Sequence, residues 1–118
     1  MLSTAVKVSE IVEKYDIKST VISMHTIKPL DEGLLKIITN KIKDIFVLEE
    51  HISSAGLGSR IAYFLNKENI STNVHFFGFP DEFIKINGKQ EFLRKIYGLD
   101  ANSIAQKIIM ELRGEKII

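Results

Sequence analysis

The chain has 118 residues, 45% of them hydrophobic and 26% charged, which is a globular composition and leaves no room for two ordinary domains. Sixteen Lys and Arg against fifteen Asp and Glu give a net charge of +1, so no basic excess points to nucleic acid and no acidic tail is present. Cysteine is absent, which excludes a disulfide framework, a thiol nucleophile and a cysteine-based zinc site, and apolar runs such as Ile45–Leu48 are far too short to cross a bilayer. The N-terminus lacks the basic-then-apolar layout of a signal peptide. The expectation is one soluble, cytoplasmic domain over 1–118 that binds neither nucleic acid nor membrane.

In chain order, Ala5, Val8, Val12 and Tyr15 fall at helical spacing, so Ser3 to about Tyr15 reads as an amphipathic helix, with a turn at Asp16 to Lys18. Thr20–Met24 is short and β-branched and reads as a strand. Pro29 breaks the chain, and Asp31 is placed to cap a helix carrying Leu34, Leu35, Ile38 and Ile42 on one face. Ile45–Leu48 is a continuous apolar run, the pattern of a strand buried on both faces. Gly56 and Gly58 open a third helix with Leu57, Ile61, Phe64 and Leu65 inward, ending at Asn69. Asn73–Gly78 is the third strand, and an irregular stretch runs from Pro80 to Gly88. A short helix from Lys89 stops at Gly98, and Asp100 caps a last helix that buries Ile104, Ala105, Ile108 and Leu112 before Gly114. The order αβαβαβαα, with helices between strands, implies parallel pairing and an α/β fold of three layers, α/β/α, around a mostly parallel sheet.

The residues that could carry chemistry cluster after the second strand. Glu49, Glu50 and His51 follow a buried strand directly, and ligands of open α/β sheets gather at the carboxyl ends of strands. Two carboxylates beside an imidazole suit general acid–base work, but one Glu anchoring the loop while its neighbours meet solvent or another domain is the simpler reading. Gly56-Leu57-Gly58-Ser59 opens a helix, and helix N-termini attract phosphate. The dinucleotide fingerprint is incomplete, since Ile61 stands where its third small residue belongs, and no phosphate-loop lysine follows. The structural reading is that the glycines let the backbone turn and the helix approach the sheet closely. His25, His51 and His75 each lie near a strand end, yet none has a histidine or carboxylate three or four residues away, so the spacing gives no metal site. Ser53, Ser54 and Ser59 form no recognisable triad with His51, and Phe76, Phe77, Phe79 and Phe83, without basic neighbours, read as core.

Four segments together resemble the C-terminal domain of the transketolase family. They are Thr26-Ile27-Lys28-Pro29-Leu30-Asp31, Glu49-Glu50-His51 with Gly56-Leu57-Gly58-Ser59, Gly78-Phe79-Pro80-Asp81-Glu82-Phe83, and Tyr97-Gly98-Leu99-Asp100 followed by Ile104. They stand in the family's order and at about its spacing, across nearly the whole chain. Related domains end 1-deoxyxylulose-5-phosphate synthase and the beta subunits of 2-oxo acid dehydrogenases. His51 and Thr26-Ile27 look more like transketolase, whereas Asp81-Glu82-Phe83-Ile84 also looks like the synthase.

The resemblance implies a non-catalytic section of a thiamine-diphosphate-dependent enzyme, transferring a two-carbon ketol unit between sugar phosphates as in the pentose phosphate reactions. The cofactor and its divalent metal would be held by two other domains, so this chain is expected to bind neither and to be inactive alone. No catalytic residue is carried over. The stretch from Glu49 to Ser59, with Glu49, Glu50, His51, Gly56, Gly58 and Ser59, is carried over only as a contact surface toward the remaining domains or a further subunit in a homo- or hetero-oligomer. The alternative is a free-standing binding or regulatory module whose helix start takes a small anion. The resemblance also implies a strand ahead of the first helix, lying centrally between the strands at Thr20–Met24 and Ile45–Glu50. Without it, those two strands are expected to pair directly, to accept a strand from another chain, or to be covered in a dimer.

Overall fold

The computed structural model describes residues 1–24, 30–51, 56–79 and 90–113. The expectations that fall on His25 to Pro29, Ile52 to Ala55, Pro80 to Lys89 and Gly114 lie outside them. The chain forms two compact units, one of Met24–Asp81 and one of Met1–Ser23 with Glu82–Ile118.

The unit of Met24–Asp81 carries the sheet. Helix α2 spans Glu32–Thr39, strand β1 Asp44–His51, helix α3 Leu57–Lys67 and strand β2 Asn73–Phe79. Asp31 caps α2 as its sequence position predicts, its carboxylate accepting the Leu34 N–H at 3.0 Å. β1 and β2 pair in parallel, Asp44 opposite Asn73 through Leu48 opposite Phe77, with α3 as the crossover. The α/β class and the parallel pairing are those expected. Leu35 of α2, Val47 of β1 and Ile61, Phe64 and Leu65 of α3 form the buried core, with Ile45, Leu57, Ile70 and Val74 packed around it.

Two expectations are corrected here. Of Ile45–Leu48, Val47 alone is fully buried. Among the described residues β1 has one ladder neighbour, so part of each flanking side chain stays within reach of water. Thr20–Met24 forms no strand. β-propensity is the fit of a side chain to a pleated, paired surface, and without a ladder partner the β-branched run has nothing to pair with. Ser19, the residue before the run, shares a 2.7 Å hydroxyl hydrogen bond with Ser9.

In the other unit, helix α1 spans Leu2–Glu13, α4 Gln90–Ile96 and α5 Ala101–Arg113. α1 packs against α5. The buried positions of α1 are Thr4, Val8 and Val12, and Tyr15 is 38% exposed because the helix has already ended. α5 buries Ile104, Ala105, Ile108 and Ile109, while Leu112, in its last turn, stays 40% exposed.

Three helices stop by the same device. Asp16 (φ 61°), Asn69 (φ 58°) and Gly98 (φ 68°) take the left-handed conformation after α1, α3 and α4. In each case the next residue's N–H reaches back five residues, Ile17 to Val12, Ile70 to Leu65 and Leu99 to Arg94. These are Schellman closures, which satisfy helix-end carbonyls that would otherwise lack donors. Asp100 starts α5 as predicted, accepting the Ser103 N–H at 3.2 Å and the Ser103 hydroxyl at 2.6 Å. Partial burial pushes the Asp100 carboxyl up, but the Ser103 hydrogen bonds and the Lys95 charge outweigh it and hold it below the usual carboxylate value.

Candidate functional site

The end of β1 and the start of α3, where the sequence placed its candidate surface, are joined by side-chain-to-backbone hydrogen bonds and a close contact. Helix α3 begins poorly on its own terms. Its N-cap is Gly56, which has no side chain to offer, and its first turn holds no acidic residue. The leading N–H groups of a helix lack intrahelical acceptors, and the positive end of the helix dipole lies there. Glu49 supplies what is missing. Ile45, Val47 and Glu49 alternate along β1, and Val47 belongs to the core beneath α3. Glu49 Oε1 accepts the Leu57 N–H at 2.6 Å and Oε2 accepts the Gly58 N–H at 3.2 Å. The carboxylate thus reaches forward eight residues and caps the helix with both oxygens.

Gly58 is required by space. A Cβ there would lie 2.5 Å from Phe76 Cδ1, closer still to Phe76 Cε1, and 3.1 Å from Glu49 Oε2. Both the aromatic ring of β2 and the capping carboxylate occupy the room that a side chain would need. The close-approach reading of Gly58 therefore holds. Gly56 does not use a glycine's special freedom in φ, since its φ of −74° and ψ of 171° are open to any residue.

The ladder is irregular at the same place. Leu48 pairs with Phe77 and His51 with Phe79, so Glu49 and Glu50 together stand opposite Gly78. One extra residue on one strand is a β-bulge, a device that bends a strand and re-aims its side chains. Glu50 is half-buried beside the bulge, Ser59 is half-buried in the first turn of α3, and His51 is the last residue of β1.

Glu49 therefore anchors the crossover, and the acid–base reading of Glu49 with Glu50 and His51 loses one of its two carboxylates to a structural bond. The small-anion reading meets the same obstacle, because the Leu57 and Gly58 N–H groups that would bind phosphate already bind Glu49. Among the described residues no group of three or more His, Asp or Glu is placed to hold a metal ion.

The structure adds a polar cluster at the opposite end of the same strands. Asp44 Oδ1 lies 3.0 Å from His75 Nε2 and accepts the Asn73 side-chain amide at 3.3 Å. The Phe46 ring stacks on His75 with centroids 4.4 Å apart. Asp44 and His75 are 31 residues apart and meet only through the β1–β2 register. Phe77 and Phe79 are buried as the core reading expects, but Phe76 is 39% exposed. It borders an open groove of about 330 Å³ between α3 and β2.

The ordered motifs of the sequence have a counterpart in comparison with known proteins. The family profile described as "Transketolase, C-terminal domain" matches residues 1–104. The chain belongs to that family. Full-length relatives carry the same domain within a much longer polypeptide. The chain is 38% identical to the 1-deoxy-D-xylulose-5-phosphate synthase of Caldanaerobacter subterraneus over 97% of its own length and 19% of the relative's. It is 37% identical to the synthase of Chlamydia trachomatis serovar L2, over 96% of this chain and 18% of that one. It is 32% identical to the synthase of Aquifex aeolicus, over 97% and 18%. This transketolase C-terminal domain thus spans less than a fifth of the curated relatives it matches.

Proposed function

We propose that this chain is the non-catalytic C-terminal section of a 1-deoxy-D-xylulose-5-phosphate synthase-type enzyme. The observation that carries the reading is the 38% identity along 97% of the chain to an enzyme of that name, of which the match covers 19%. Within the transketolase family, the names of these relatives favour the synthase over transketolase itself. The catalytic centre, with the thiamine diphosphate and divalent metal that the resemblance implies, belongs to the parts of the enzyme outside this match. The role of these residues is then to dock on those parts and support the assembly.

The end of β1 and the start of α3, from Glu49 to Ser59, is the contact surface in this reading. Its support is physical: the bulge, the Glu49 cap and the Gly58–Phe76 contact hold the backbone on both sides of the crossover in one arrangement. A second contact follows from the sheet. Among the described residues β1 is paired on one edge only, and its apolar run suits a strand with neighbours on both sides. A strand from the remainder of the enzyme would complete it.

Co-purification tests the proposal. Expressed with the remaining part of a synthase-type polypeptide, the chain is expected to form a stable complex, and Gly58→Val is expected to weaken that complex as well as the helix start. The purified chain alone is expected to bind no thiamine diphosphate and to transfer no two-carbon unit. Saturable cofactor binding or turnover by the isolated chain would overturn the reading.

A further inference from the structure

We draw no further inference here: the strongest candidate, the open groove between the C-terminal half of α3 and β2 bordered by Leu65, Ile70, Val74 and Phe76, is an unpartnered surface, and nothing in the structure shows what covers it.

Discussion

Removing the Glu49 carboxylate tests the local architecture most sharply. In Glu49→Ala the N–H groups of Leu57 and Gly58 lose their acceptor, and the positive end of α3 loses its counter-charge. Loss of a helix cap costs about 0.5–2 kcal/mol, and loss of a carboxylate at a helix N-terminus about 0.3–1 kcal/mol. Gly56 can offer no substitute, so we expect a total of about 2 kcal/mol, within the range for a capped, part-buried site. The unfolding entropy of a 118-residue chain is about 0.25 kcal/mol/K at the usual per-residue value, which converts the loss to a fall in Tm of about 8 °C. Glu49→Gln keeps an acceptor oxygen but no charge, and is expected to lose about half as much. Thermal melts followed by circular dichroism, with amide exchange at Leu57 and Gly58, read both effects. A Glu49→Ala melt within about 2 °C of wild type, with exchange at those amides unchanged, would refute the capping account.

Three further outcomes are expected. Gly58→Ala should destabilise by about 1–3 kcal/mol through overpacking against Phe76, and in Gly58→Ala/Phe76→Ala the combined loss should be smaller than the sum of the singles, measured by denaturant unfolding. Asn69→Gly should raise stability by about 0.5–1 kcal/mol, since glycine takes the left-handed helix stop without the strain of a side chain, and the same melt checks it. Asp100 is held below its ordinary value, so its contribution is fully present above pH 3.8 and is lost as pH falls through the folded-state value. The Tm gap between wild type and Asp100→Asn should therefore be widest at pH 6 and narrow as pH falls below 3.8, and a gap that is constant with pH would contradict the assignment.

What the sequence made legible was local. The Asp31 and Asp100 caps, the stops at Asn69 and Gly98 and the apolar face of α3 rest on residues within a turn or two of one another, where spacing alone fixes the geometry. Thr20–Met24 reads as a strand yet forms none, because a strand is a property of a pair and β-branched composition carries no information about a partner. An anchoring role for one of the two glutamates is the simpler sequence reading, but the sequence does not say which one. Which of two adjacent glutamates anchors the crossover depends on strand phase, and on a bulge that a pattern of apolar residues does not encode. The Asp44–His75 contact depends on register between strands nearly thirty residues apart, so nothing near either residue announces it. The stripes of α1 and α5 continue in sequence to Tyr15 and Leu112, but periodicity does not say where a helix ends or where its cover stops.

The proposed role of this chain is that of the C-terminal section of a synthase-type enzyme. Grafting it into the Caldanaerobacter subterraneus 1-deoxy-D-xylulose-5-phosphate synthase, in place of the matching 19% of that polypeptide, tests the claim directly. The measurement is formation of 1-deoxy-D-xylulose 5-phosphate by the purified chimera, beside the parent enzyme and a version from which the matching section has been deleted. The chimera is expected to form the product, and the deleted version to form none. A chimera that folds and assembles like the parent yet forms none, or a deleted version as active as the parent, would contradict it.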